Sequence, residues 1–562
     1  MTLTGAQLTT AQLKREGIEI IFSLNGGHIF GIYDSCIDAG IRILDVRHED
    51  AAVHMAHAWS RFTDGIGVAC VTAGPGLTNT TTAVANAWVA ASPLVLIAGR
   101  VPTKQFDLGA LQDVDQGSIL RVITKSGYCA LEGRRIPEYV HAALRLAQTS
   151  PYGPTYLELP TDVLREHVEN EPLVEPCARR ASARPRPDLL AINAAVQILE
   201  RAERPVIIAG SGVMWSRAYA QLLAFAERIE APVLTTSLAR GAMPLRHPLS
   251  LGAARSWLLA RADAIVVVGA RFNYQLGYGR PPRFSEKAAI IQIDTALQEL
   301  GRNRTVDVML QGDAAASLEE LAAAISYRAD PRAWLNEART HDSNARAALE
   351  ARAMSSATPI HPLRLCREVR RAVPPDSIII LDGGDILSFG RLMVELPGPM
   401  QFLDPGPFGC LGVGLPFTNA AKLARPGHPV VCITGDGALG FHVMEFDTAV
   451  RHKLPIVVVV SNNAAWGIEA ASQRLDFGED RIVGTMLRDS RFDRIADALG
   501  GYGQRVTDPA GIGPAIKRAL ESGKPSLVDV VTDARCMSPD LQRGLARVPD
   551  LQPLDFYGEQ PS

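Results

Sequence analysis

The sequence has no CxxC pair. Its eight cysteines lie scattered at 36, 70, 129, 177, 366, 410, 432 and 536, a spacing that supports neither a structural zinc site nor a disulfide framework. Cys70 and Cys432 sit in apolar runs and read as core thiols. An excess of one charge is also missing. The 57 Lys and Arg against 60 Asp and Glu leave a net charge of −3, so neither a nucleic-acid partner nor an anionic membrane surface is implied. No apolar run reaches the length of a membrane span. The opening Met-Thr-Leu-Thr-Gly-Ala is not a basic segment followed by an apolar stretch, so a cytoplasmic location is expected. Low-complexity segments and short-period repeats are missing as well. So is the strand–GxGxxG–helix fingerprint with a following acidic residue, which counts against an NAD oxidoreductase.

What is present is an ordinary globular composition, 47% hydrophobic and 21% charged, over 562 residues. That length exceeds one core, and three domains are expected, at 1–168, 188–350 and 358–535, followed by a segment at 536–562. Strand and helix signals alternate through the first: helix 7–16, strands 18–22 and 41–46, helix 49–61, strand 66–71, helix 77–90, strand 94–98. The alternation predicts α/β domains built on doubly wound parallel sheets. Residues 166–187, rich in Pro, Arg and Glu, read as a linker. Strands at 205–209, 232–235, 264–269 and 289–294 mark a second α/β domain, closed by helical residues 314–353 that break near Asp330-Pro331. The third domain looks like the first architecture used again.

Its centre is Gly435-Asp436-Gly437, which follows an apolar strand at 429–434. A second strand, 454–460, ends in Ser461-Asn462-Asn463. The residues between, 438–452, have helical spacing, with Phe441, Met444, Phe446 and Val450 as the apolar face. A strand–helix–strand unit puts both loops on one sheet edge, one offering a carboxylate and the other a carboxamide. Hard oxygen ligands beside exposed glycine amides suit Mg²⁺ carrying a diphosphate. Gly-Asp-Gly alone also fits an ordinary turn; the asparagine pair on the next strand weighs against that. Elsewhere, Glu49 opens a helix after Arg47-His48, where a carboxylate is favoured electrostatically. Thr72-Ala-Gly74-Pro-Gly-Leu-Thr-Asn79 and Phe408-Gly409-Cys-Leu411-Gly-Val-Gly each join a strand signal to a helix. Asp382-Gly-Gly384-Asp385 follows the strand 377–381 as a second phosphate-side loop. His28 lies just after Asn25-Gly-Gly, at the catalytic edge of an α/β sheet, and Gln112 lies in a polar stretch.

Together these motifs resemble the thiamin diphosphate-dependent enzymes, in the branch of acetolactate synthase and benzaldehyde lyase. The resemblance covers the whole chain and implies pyrimidine-binding, central and diphosphate-binding domains. It implies that Asp436, Asn463 and the Ala465 carbonyl hold Mg²⁺. Gly384, Asp385, Gly435, Gly437, Ala438, Trp466 and Gly467 would cradle the diphosphate, and Thr72, Gly74 and Asn79 the pyrimidine side. Glu49 would hydrogen-bond the pyrimidine ring, Gly409 would meet its amino group, and Leu411 would wedge the cofactor into a bent form. His28 and Gln112 would face the reacting carbon.

Gly26-Gly-His-Ile29, Asp45-Val-Arg-His-Glu49 and Asn86-Ala-Trp88 look like benzaldehyde lyase and the bacterial 2-hydroxyacyl-CoA lyases. Asn462-Asn-Ala-Ala-Trp-Gly-Ile-Glu469 and the segment from Ser538 look closer to the latter. That segment, with Leu541, Leu545, Val548, Leu551, Leu554, Phe556 and Tyr557, would be a lid over an acyl-CoA thioester. It lacks the Ser-Ser-Asp-Ala-Lys of those lyases, having Met537-Ser-Pro-Asp540. A 2-hydroxyacyl-CoA lyase is the expectation, with a benzaldehyde lyase-type or acetolactate synthase-like enzyme as alternatives. In the central domain Gly210, Ser211, Gly212, Arg271, Asp294 and Asp313 resemble positions that hold ADP or, less closely here, FAD; benzaldehyde lyase needs neither. The family builds its site between chains, implying a homodimer at least and a homotetramer as the expected assembly.

Overall fold

The computed structural model describes residues 2–169, 183–326, 330–394, 396–538 and 541. Among these, three parallel sheets carry the fold. The first contains β1 (Ile20–Ser23), β2 (Arg42–Asp45), β3 (Gly67–Val71), β4 (Leu94–Arg100), β5 (Gly127–Cys129) and β6 (Pro154–Pro160), in the order β2-β1-β3-β4-β6-β5. The central sheet has β7 (Pro205–Ala209), β8 (Val233–Thr235), β9 (Ala264–Val268), β10 (Ala289–Asp294) and β11 (Val308–Gln311), ordered β8-β7-β9-β10-β11. The third has β12 (Ile378–Leu381), β13 (Phe402–Leu403), β14 (Val430–Gly435), β15 (Val457–Asn462), β16 (Tyr502–Val506) and β17 (Ser526–Val531), ordered β13-β12-β14-β15-β17-β16. The first and third sheets share one strand order, so the repeated architecture read from the sequence is real. The inner strands β3, β14 and β15 are buried almost throughout, as sheets covered by helices on both faces require.

The first and third domains share a core. Helix Glu49–Phe62 is buried at every position except Trp59. It packs along Gly414–Ala424, and Phe22, Leu44 and Met55 join Phe417, Leu439 and Val458 in one apolar cluster. Polar links reinforce the seam: Arg47 N–H donates to Glu445 Oε1 at 2.9 Å, and His452 Nε2 lies 3.0 Å from Asp45 Oδ1.

Several local expectations are corrected. The helix expected over 438–452 starts at Asp436 and divides into Asp436–His442 and Glu445–Arg451. The break turns Phe441 and Met444 outward, 58% and 41% exposed, while Phe446 alone is fully buried. The helix expected over 77–90 is Pro75–Thr78 followed by Thr81–Val89. The break near Asp330-Pro331 does separate Ala314–Ala324 from Arg332–Ala353. Of the lid residues, Leu541 is buried; Leu545, Val548, Leu551, Leu554, Phe556 and Tyr557 lie outside the described residues, as do 170–182 of the linker.

Candidate active site

The third domain presents its turns at the C-terminal ends of β12, β14 and β15. Asp436 begins its helix directly after β14, and the backbone N–H groups of Gly437, Ala464 and Ala465 lie close enough to its carboxylate to favour the ionised form. Its Oδ2 has no partner although it is buried, and burial pushes the carboxyl up to about 6. Asn463 Oδ1 accepts the Ala465 N–H at 3.1 Å, which curls the end of β15 around Asp436. The Trp466 ring lies flat against Gly437, where any Cβ would collide with it. Gly467 in turn leaves room for Asp385. That carboxylate also keeps one buried oxygen unpaired and is pushed up to about 6 by burial, against hydrogen bonds from Ser538. Asp382 was read only as part of a loop; it is a clamp. It accepts the N–H groups of Gly383, Gly412 and Gly414 while fully buried, and so fixes the 409–414 loop that carries Leu411.

The first domain presents a second face. Glu49 is nearly buried, and its Oε2 accepts the Asn79 side-chain N–H at 3.0 Å. Gly76 stands opposite its other oxygen, where an added Cβ would collide with Thr72 Cγ2. His28 Nδ1 lies 3.1 Å from Thr72 Oγ1, and burial lowers the ring's pKa below its ordinary value, which keeps the imidazole neutral. Gln112 adopts a left-handed backbone, φ +67°, with its backbone packed on Gly74. Glu49, Asn79, Thr72, Gly74, His28 and Gln112 therefore form one continuous surface. Gln116 went unread in the sequence. It is fully buried and ties this surface together from behind. No local pattern marks it, because its partners stand on three other segments.

A cavity of about 1650 Å³ lies between the central and third domains. Gly384, Asp385, Gly409, Leu411, Asp436, Asn463, Ala465 and Trp466 line one end of it, and Arg240, Arg255, Arg261 and Arg283 the other. Among the described residues, none of the first domain lines it. Within one chain, Glu49 and Asp436 face different spaces.

The six nucleotide candidates also stay outside this cavity. Gly210 and Gly212 pack on Gly269 and Ala270 so closely that neither tolerates a Cβ. Ser211 begins the short helix Ser211–Trp215. Arg271 donates to the Val89 carbonyl at 3.0 Å, and Asp294 accepts the Ala296 N–H at 2.9 Å. Asp313 caps helix Ala314–Ala324 through the N–H groups of Ala315 and Ala316.

Three family models match the chain in succession: "Thiamine pyrophosphate enzyme, N-terminal TPP binding domain" over residues 3–119, "Thiamine pyrophosphate enzyme, central domain" over 192–321, and "Thiamine pyrophosphate enzyme, C-terminal TPP binding domain" over 382–530. The chain is 36% identical over 542 residues to a "Probable acetolactate synthase" of Mycobacterium bovis, covering 96% of this chain and 97% of the relative. It is 34% identical over 545 residues to "2-hydroxyacyl-CoA lyase 2" of Caenorhabditis elegans, covering 90% and 84%. With "2-hydroxyacyl-CoA lyase 2" of Homo sapiens it shares 34% over 537 residues, covering 89% and 84%.

The residues fit such a cofactor. A buried carboxylate oxygen without a partner, a carboxamide and a backbone turn form a hard-oxygen donor set. Among the described residues no group of three or more His, Cys, Asp or Glu could hold a metal ion, so a cation here would need ligand oxygens, as a diphosphate supplies.

Proposed function

The chain belongs to the thiamine pyrophosphate enzyme family, and from that premise we propose that it is a carbon–carbon lyase acting on 2-hydroxyacyl-CoA thioesters, releasing an aldehyde or ketone and a shorter acyl-CoA such as formyl-CoA. The cofactor, when bound, supplies the carbon nucleophile for this cleavage. Asp436, Asn463 and the Ala465 carbonyl would hold Mg²⁺ and with it the diphosphate. Glu49, nearly buried and steadied by Asn79, would hydrogen-bond the pyrimidine ring. His28, neutral and oriented by Thr72, takes the proton of the substrate hydroxyl, and Gln112 orients that hydroxyl from the facing loop.

The observation that carries the CoA reading is the cavity. It runs from the Asp436 turn to an arginine-lined wall in the central domain, giving a polyanionic thioester handle both room and countercharge. The second reading is acetolactate synthase-like transfer between 2-keto acids, favoured by the 36% identity to the mycobacterial relative. Turnover assays on 2-hydroxyacyl-CoAs, benzoin and pyruvate separate the cases. Acyl-CoA release supports the lyase. Benzoin cleavage without CoA turnover replaces it with a benzaldehyde lyase-type enzyme, and acetolactate formation replaces both.

Two chains per site follow from the same reading. The cavity lacks first-domain residues, and each half-site carries exposed apolar side chains. Leu108 and Leu111, beside Gln112, are 74% and 83% exposed, and Phe441 lies exposed near Asp436. A mixture of inactive Glu49→Gln and Asp436→Ala chains would regain activity, because a mixed pair assembles one intact site. No recovery after mixing and refolding would place the site within one chain.

A further inference from the structure

We infer that Gln116 is a positioning residue for the substrate side of this site, setting His28, Gln112 and the Gly74 turn at fixed distances through one buried carboxamide. The inference rests on the proposed reading of that face.

The bonds are complete and directional. Gln116 Oε1 accepts the Gly74 N–H at 2.7 Å. Its Nε2 donates to the Gly99 carbonyl at 3.2 Å and to Tyr156 Oη at 3.1 Å. A backbone N–H can only donate and a backbone carbonyl can only accept, so the amide has one orientation. Tyr156 O–H in turn points its proton at the Glu158 carboxylate, which pairs with Arg100 at 2.7 Å. The chain of bonds therefore ends on an ion pair, with no group of Gln116 left over.

Each partner is attached to a residue of the site. Gly74 turns with φ +61° and ψ −113°, and the Gln112 backbone rests on it. Gly99, at the end of β4, is the shelf under His28, with no space for a Cβ between them. One side chain thus fixes the turn, the His28 shelf and, through the turn, Gln112. A carboxamide alone offers an acceptor and two donors in that geometry without charge. An apolar replacement takes the acceptor from the Gly74 N–H and a donor from both the Gly99 carbonyl and Tyr156 Oη.

The test uses the full-length protein. In Gln116→Leu, kcat falls about 100-fold, the scale of a misplaced catalytic group, while KM and the Kd for thiamin diphosphate stay within about threefold of wild type. In Gln116→Glu the outcome depends on pH. The neutral acid accepts from Gly74 and donates to Gly99; the anion has no proton to donate. Tyr156, Glu158 and Arg100 face that position from β6 and β4, Asp115 flanks it in sequence, and His28 lies beyond Gly99. Of these Glu158, close by at Gly117, opposes the anion. Gln116→Glu therefore recovers kcat as the pH is lowered from 8 to 6, a limb that wild type and Gln116→Leu lack. Independently of turnover, amide exchange of the peptide spanning Thr72 to Thr78 in the apoprotein speeds up about tenfold in Gln116→Leu. If that variant does not fold, Gln116→Glu compared at pH 6 and pH 8 decides by both readouts. Unchanged exchange, or kcat within threefold of wild type at every pH, overturns the inference. A wild type inactive on every substrate offered overturns the proposed function instead, and the exchange measurement still judges Gln116.

Discussion

On the first domain's face each polar side chain assigned to the site, Gln112 apart, has a partner. Glu49 has Asn79, His28 has Thr72, and Gln116 has Gly74, Gly99 and Tyr156. On the third domain's face, two buried carboxylates each keep an oxygen with none, and both are pushed up to about 6 by burial. The two domains share a strand order, so the fold does not cause the difference. One face is finished and can recognise a flat, neutral ring by shape and directed hydrogen bonds. The other holds negative charge out of water at a cost, which a divalent cation would remove. One strand order thus carries a half whose polar groups are bonded within the chain and a half that keeps two buried carboxylate oxygens without a partner.

Breaking the finished face should act on rate. Glu49→Gln keeps the Asn79 contact but loses the acid–base function, so kcat should fall about 10²- to 10⁴-fold with the Kd for thiamin diphosphate unchanged; turnover against cofactor titration checks this. Breaking the other face should act on binding. Asp436→Ala should weaken cofactor retention in Mg²⁺ by about 100-fold, read as a Kd by fluorescence titration.

The pH response sharpens the contrast. The Asp436 carboxyl, near 6 in the folded apoprotein, lies above its unfolded value of about 4. Its contribution to stability is therefore fully present below about pH 4 and is lost as the pH rises through 6, up to about 3 kcal/mol. Asp436→Asn should remove that loss, so denaturant melts of the two apoproteins at pH 5 and pH 8 should diverge at pH 8, with the variant more stable. Mg²⁺ with thiamin diphosphate should stabilise wild type more at pH 8 than at pH 5, since only the ionised carboxylate binds the cation. The smallest effect belongs outside both faces. Asp313→Ala removes a helix cap and should cost about 1 kcal/mol in a thermal or urea melt while leaving kcat unaltered, as expected of a structural residue.

Legibility followed the range of the interactions. Asp436 and Asn463 stand on one strand–helix–strand unit, so their shared sheet edge could be read from neighbouring residues. Glu49 at a helix start and His28 after two glycines were readable for the same reason. Asp382 and Gln116 were not, because each acts through backbone groups brought near by other strands: Gly412 and Gly414 for one, Gly74 and Gly99 for the other. Asp313 shows the same limit. A carboxylate at a strand end fits a ribose hydroxyl and a helix cap equally well in sequence, and its cap bonds to Ala315 and Ala316 are visible only in the fold.

By itself the sequence determined three α/β domains, the turn at Gly435-Asp436-Gly437 beside Asn463 and the catalytic-edge candidates, because strand burial, glycine turns and helix starts are local properties of the chain. The tertiary structure decided that Glu49 and Asp436 face different spaces within one chain. It also decided that the large cavity joins the central domain to the third, and that one face is satisfied while the other is not. Those outcomes depend on which surfaces pack together and which polar atoms then lose water, and neither is encoded at any single position.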